Sequence, residues 1–567
     1  MEGKTKDYLQ KYDQPKNFFN RELSWIAFNN RVLEEACNPG NPLLERVKFL
    51  SIFHSNLDEF YMIRISGIKE QIEANVAEVR IDGLTPQKEL EKIEDVLEPI
   101  LEKIVDYWHN SLVPELRENN IDITHYSELE HREKEILNHY FEKYLFPNLT
   151  PLAIDPGRPF PFIRNLALSI GIIIKNPKGE LHFARVKVPD NIPRLIRIDT
   201  LLNESRKTYK GNGYIKVIWV EDLIIANLKR LFPGMKIVEA KTFRITRDTD
   251  IEIQEDEADD LLKVIEENIK QRRFGNVVRM EIEEGVSDSL LDVLSTHLEL
   301  DEHDIHRVKA PIGLSKVIEL YGLPFHHLKD KPFIHKVPKI FEEESDIFSA
   351  IRQRDIFLHH PYHSFSPVID FIRQAAEDPD VLTIKQTLYR VGTNSPIIKH
   401  LMDAADSKKQ VAVLVELKAR FDEENNIFWA RALEKVGAHV VYGLIGLKTH
   451  GKMTLVVRRE GSELRRYVHL STGNYNSSTA KMYTDFGLFT CNDDICSDVS
   501  DIFNFLTGYS NQKEFKKLLV APVNMRQRLV HLIEREIANA RAGKKGRIIL
   551  KTNSVVDPQI ISVLYEA

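Results

Sequence analysis

Between residues 381 and 457, short β-branched runs alternate with helical stretches in a single rhythm. Residues 381–388, 411–417, 439–444 and 452–457 read as strands, and 397–405 and 427–436 as helices. A strand, a covering helix and another strand in repetition form βαβ units of an α/β sheet. In open sheets of this kind, ligands gather at the carboxyl ends of the strands. That rule picks out Arg390 after one strand, Lys418 and Arg420 after the next, and His450 beside the last. His450 and Lys452 stand two apart where that strand begins, so both side chains point to one face. A neutral imidazole can attack a phosphoryl group, and an ammonium beside it offsets charge on the phosphoryl oxygens. The H-x-K spacing alone is common, and a lone histidine at a strand end is usually structural; the surrounding cations lift this one. Asp422, Glu423 and Glu424 follow Arg420 and could bind a metal, pair with the arginines or cap the next helix. Capping is the plain reading, because acidic residues suit a helix N-terminus.

A chain of 567 residues with 43% hydrophobic content suggests roughly three to four domains. The net charge of −7 excludes a global basic field, so any polyanion site must be a local cluster. Cys37, Cys491 and Cys496 fit a reducing compartment without a disulfide framework. The charged N-terminus has no apolar signal region, and the longest apolar run, 166–174, is far short of the ~20 residues a membrane span needs. A cytoplasmic protein without a transmembrane segment is expected, with peripheral association at the inner membrane left open. Residues 1–120 read as helical, with Leu90, Ile93, Leu97, Leu101 and Ile104 at helical spacing. Thr85-Pro86 should start that helix, and Pro99 should kink or split it. Asn56, Asp58 and Arg64 are the polar residues to watch nearby; capping and surface pairing is their plain reading. Strict alternation marks 166–175 as a strand; 183–188 and the stretch around Val278, Met280 and Ile282 are others. With a helix over 258–269, they make 121–335 an α+β domain. The proline-rich 151–165 should be a loop. Lys241, Arg244, Arg247, Arg272, Arg273 and Arg279 form either a solvated face or a polyanion track.

One chain holds the words Arg21-Glu22-Leu23-Ser24-Trp25, Leu388-Tyr389-Arg390-Val391, residues 416–424 and 446–452, Ser471-Thr472-Gly473-Asn474-Tyr475-Asn476 and Tyr483-Thr484-Asp485. With these words it resembles the bacterial polyphosphate kinase family. The resemblance spans essentially the whole chain. It implies a multidomain α and α/β protein: a helical domain over 1–120, an α+β head domain over 121–335 and a phospholipase-D-like α/β domain over 336–517. Residues 518–567 would begin a second such domain. It also implies a phosphotransferase that moves the terminal phosphoryl of ATP to polyphosphate, with His450 phosphorylated. Asn56 and Tyr483 would contact ATP, while Arg390 and Arg420 would hold phosphates beside Mg²⁺. A guanidinium cannot ligate a cation, so these two are neighbours of a phosphate-bound ion. The head domain would carry a homodimer, and ATP, ADP and polyphosphate would be the partners, with no nucleic acid.

The family's second histidine and its arginines find no counterpart here. Residues 547–551 read as a strand and 558–565 as a helix, after which the chain stops, so a truncated and inactive or weakly active protein is expected. Asp485, with Glu416 behind it, is the carboxylate expected to orient the imidazole. Two rivals stand: a phospholipase-D-type phosphodiesterase or nuclease, and a non-catalytic polyanion binder. Val456, Val457 and Arg458 occupy the place where the former would need an acidic residue.

Overall fold

A computed structural model describes residues 11–567, apart from 155–157, 205–212, 250–260, 272–273, 420–421, 445, 509 and 511. The chain divides into two compact units: Asp13–Ile251 with Arg272–Lys331, and Pro332–Ala567 with Glu252–Gln271 and Met1–Tyr12.

The first unit begins with the helices Arg21–Cys37, Leu43–Phe60 and Pro86–Tyr107. Asn20 caps the first by accepting the N–H groups of Glu22 and Leu23, both at 2.9 Å. Thr85 and Pro86 start the third as expected. That helix runs unbroken through Pro99, against the expectation of a split. Proline removes one backbone donor, but Ile93, Leu97 and Ile104 still bury one apolar stripe on either side of it. The same core takes in Ile121, Ile123, Val217 and Trp219, so the helices pack directly on a three-stranded sheet.

A six-stranded sheet completes this unit, in the order Pro151–Ala153, Leu181–Lys187, Ser169–Lys175, Lys236–Arg247, Val277–Glu283 and Ile305–Val308. The strand expected from 166 starts at Ser169, because Leu166 takes a left-handed φ of 57°. Part of the proline-rich loop, Pro151–Ala153, pairs as an edge strand. Sequence reading missed the longest strand, Lys236–Arg247, and misread its basic residues. Arg244 and Arg279 are 4% and 2% exposed, which rules out both a solvated face and a polyanion track for them. Arg244 donates to both carboxylate oxygens of Asp58 at 2.8 Å and to Glu281. Arg279 donates to Glu281 at 3.0 Å and stacks on Tyr61. Arg272 and Arg273 lie outside the described residues.

The second unit is built on a seven-stranded sheet. Its strands are β1 (Ile356–His360), β2 (Val381–Leu388), β3 (Gln410–Val415), β4 (His439–Val441), β5 (Lys452–Glu460), β6 (Glu463–Ser471) and β7 (Asp485–Thr490). Their spatial order is β1-β7-β6-β5-β2-β3-β4. Only β2, β3 and β4 run parallel, joined by helices α1 (Pro396–Asp406) and α2 (Glu423–Lys435). The others pair antiparallel, because the two-residue turn at Gly461 and Ser462 folds β5 back on β6. The βαβ rhythm thus describes half of the sheet. β1 and β7 went unread, being short and set among histidines and glycine. Ile384, Val413, Val456, Tyr467 and Phe489 fill the core on one face.

Beyond the sheet, helices Met525–Arg541 and Pro558–Glu566 pack through Val530, Ile533, Ile537, Ile560 and Val563. The strand expected over 547–551 does not form. A strand needs a neighbour for its N–H and C=O groups, none of the described strands pairs with it, and Ile549 is 78% exposed.

Candidate active site

Tyr389, directly after β2, is the ring around which the cations of the second unit gather. His450 meets it edge-on, with centroids 5.0 Å apart and an interplanar angle of 75°. Lys452 Nζ lies 4.8 Å over the same ring, and the Arg390 guanidinium lies 5.6 Å from its centroid. The Lys452 side chain is nearly buried, at 5% exposure, where the cation–π contact replaces part of its lost hydration. His450 is exposed.

Three loops hold these groups. Arg390 takes a φ of +142°, a region that costs a non-glycine residue of order 1–3 kcal/mol. Asn476 Nδ2 donates to the Arg390 carbonyl at 3.1 Å and helps hold that conformation. Thr472 Oγ1 donates to Asp485 Oδ1 at 2.9 Å. Gly473 makes this approach possible: a Cβ there would sit 2.6 Å from the Asp485 carboxylate. The Glu416 side chain, fully buried at the end of β3, accepts the N–H of Lys418 at 2.9 Å through Oε1 and the N–H of Thr449 at 2.6 Å through Oε2. Lys418 Nζ in turn donates to the carbonyl of Leu447 at 3.1 Å. Charge-assisted bonds of this kind contribute about 1.5–3 kcal/mol each.

Partial removal from water, then the charges of Lys452, Arg390 and Lys448, hold the His450 pKa below its ordinary 6.5. The imidazole is therefore neutral and nucleophilic at neutral pH. Burial brings Lys452 down to about 8, although Asp485 opposes the shift. Burial likewise raises the Glu416 carboxyl, while the two N–H donors pull it back. A neutral nucleophile faced by cations can accept a phosphoryl group and stabilise its oxygens.

The structure brings His450, Lys452 and Arg390 together on Tyr389. Asp485 acts on Lys452 by charge and bonds to Thr472, rather than to the imidazole. Glu416 reaches the residue before His450, not the ring. Tyr483 is 62% exposed, and its N–H donates to the Thr479 carbonyl. Arg420 lies outside the described residues. Asn56 belongs to the other unit, on the helix Leu43–Phe60, where its amide donates to Asn29 at 3.0 Å. Asp422 stands at the N-cap of α2 without a capping bond from its side chain, and accepts from Asn425 instead. Among the described residues, no group of three or more His, Cys, Asp or Glu could hold a metal ion. Sequence reading missed Tyr389 as a hub and Asn476 as a strap, although both stand inside motif words it had singled out.

A histidine held below its ordinary pKa amid cations at the strand ends of an α/β sheet suits the handling of phosphoryl groups. Known proteins narrow that reading. The polyphosphate kinase N-terminal domain matches residues 18–124, the middle domain 132–320, C-terminal domain 1 346–512 and C-terminal domain 2 518–567. The chain is 52% identical to polyphosphate kinase 1 of Chlorobaculum tepidum over 557 residues, covering 98% of this chain and 79% of that one. Polyphosphate kinase of Synechocystis sp. is 48% identical over 577 residues, with the same two coverages. The crystal structure of polyphosphate kinase from Porphyromonas gingivalis matches with a TM-score of 0.81 at 29% identity, over 97% of this chain and 78% of that one. The chain belongs to the polyphosphate kinase family, and its multidomain α/β fold is that of the Porphyromonas structure. Residues 518–567 match C-terminal domain 2, and the chain spans about four fifths of the length of these relatives.

Proposed function

We propose that the chain is a phosphotransferase that moves the terminal phosphoryl of ATP reversibly to inorganic polyphosphate through a phosphohistidine at His450. The observation that carries this reading is the neutral His450 ring beside Lys452 and Arg390 on Tyr389. In the first step, an imidazole nitrogen lone pair forms a bond to the γ-phosphorus. The bond from that phosphorus to the β,γ-bridging oxygen breaks, and ADP leaves with the electron pair. In the second step, a terminal oxygen of polyphosphate attacks the phosphorus and returns the imidazole. Lys452 and Arg390 offset charge on the equatorial oxygens throughout, and catalysis is mainly positioning and charge neutralisation. Arg420 joins them in this reading.

Mg²⁺ enters as part of the substrate. In this reading the ion is held chiefly by nucleotide phosphates. Asn56 and Tyr483 are assigned to ATP. The domains run 1–120, 121–335, 336–517 and 518–567, the head mediates a homodimer, and the protein works in the cytoplasm. No described helix is long and apolar enough to cross a membrane.

The test is turnover of ATP with a polyphosphate primer, followed by ³¹P NMR. ADP should appear in step with lengthening of the polymer, and excess ADP should drive ATP formation from polyphosphate. Cleavage of a phosphodiester without ATP, or polyphosphate binding without turnover, would overturn the reading.

A further inference from the structure

The buried carboxylate of Glu416 touches none of the groups assigned to chemistry, yet two loops end on it. Its Oε2 accepts from Thr449, the residue before His450, and its Oε1 accepts from Lys418 in the turn after β3. Its own backbone N–H donates to the Leu388 carbonyl, one residue before Tyr389, at 3.0 Å. Its carbonyl accepts from Asn426 of α2 at 2.8 Å. Gly443, with a φ of +82°, runs alongside the carboxylate, where a Cβ would make an ordinary contact of 3.5 Å with Oε2. Lys418 closes the loop from outside by donating to Leu447. One residue thus joins the strand end that presents Tyr389 to the loop that presents His450.

We propose that Glu416 is a positioning residue: its two carboxylate oxygens hold the His450 loop and the Lys418 turn in the one arrangement that sets the imidazole among Lys452, Arg390 and Lys448. The proposal deepens the phosphohistidine reading and rests on it for its kinetic consequence alone. A carboxylate accepts through both oxygens, whereas an amide presents one acceptor and one donor. Glu416→Gln therefore opposes one N–H to another and releases one of the two loops. Glu416→Asp keeps the charge but withdraws it by one methylene.

The experiment follows the His450 imidazole by NMR on the full chain labelled with ¹³C-histidine, with its signal assigned by its loss in His450→Gln. Two effects of Glu416→Gln have opposite signs. Loss of a negative charge alone would lower the His450 pKa further. Release from the three cations would raise it toward the ordinary 6.5. The expected result is a rise in both Glu416→Gln and Glu416→Asp. Labelling of His450 by γ-³²P ATP should fall about 100-fold, as displacement of a reacting group by roughly 1 Å commonly does. The KM for ATP should stay within about threefold, since substrate contacts are untouched. An unchanged or lowered His450 pKa in the folded variants overturns the positioning role, and so does loss of the folded state in both. Should the wild-type chain take no label, the phosphohistidine reading fails, while the titration still decides the role of Glu416.

Discussion

An arginine at a φ of +142°, a lysine over an aromatic ring and an exposed histidine at the ring edge stand within two residues of two strand ends, the close of β2 and the start of β5. Each has a distinct consequence. Arg390→Lys keeps the charge but loses the planar fork, so turnover should drop about 10²-fold, comparable with loss of a transition-state donor. Steady-state rates at saturating ATP check this, and near-normal turnover would remove Arg390 from the chemistry. The pH profile follows from two opposed requirements. His450 must be neutral, so activity should rise as pH climbs through a value below 6.5. Lys452 must be charged, so activity should fall as pH passes about 8. Lys452→Arg should push the alkaline limb beyond that point. That His450, Lys452 and Arg390 lie close together was legible, because strand ends of one sheet bring them to one edge. Tyr389 and Asn476 were not: their roles depend on partners 61 and 86 positions away by number (450 − 389 and 476 − 390), and spacing carries no such information.

Lys236–Arg247 shows where reading elements from sequence stops. Alternation revealed Ser169–Lys175 because its inward side chains are apolar. Lys236–Arg247 turns Arg244 inward, where carboxylates from a distant helix and the neighbouring strand receive it. From sequence alone, a buried arginine with distant partners cannot be told from a solvated one. Buried networks of this kind are costly to break halfway. Arg244→Met should leave Asp58 without the guanidinium that pairs with both its oxygens and Glu281 with Arg279 alone, and lower stability by about 3–5 kcal/mol, read as a lower urea midpoint. The neighbouring arginines hold Glu281 at about 2, below its usual 4.5. The stability this supplies is complete above about pH 4.5 and fades as pH falls toward 2, and Arg244→Met should weaken that dependence, leaving the share that Arg279 supplies. In the second sheet, the same limit appears at β1 and β7. Their antiparallel places follow from pairing that no local pattern encodes.

At the scale of the whole molecule, the two compact units divide the assigned functions. The sheet of the second presents His450, and the first carries Asn56 and the head region assigned to self-association. A dimer predicts a light-scattering mass of twice the 65.7 kDa of one chain at micromolar concentration, and a mass of one chain would contradict it. The multidomain α/β plan was legible because a helical rhythm gives way along the chain to strand alternation and then to βαβ alternation. The antiparallel half of the second sheet was not, because a hairpin reverses direction through two residues. Whether His450 carries the transferred phosphoryl is read most directly from labelling of the protein itself. The chain is incubated with γ-³²P ATP, quenched in alkali and resolved from nucleotide. A base-stable, acid-labile adduct should form on the wild type and be absent from His450→Ala. Label that persists in His450→Ala, or polymer that lengthens with no labelled protein at any time, would contradict the account.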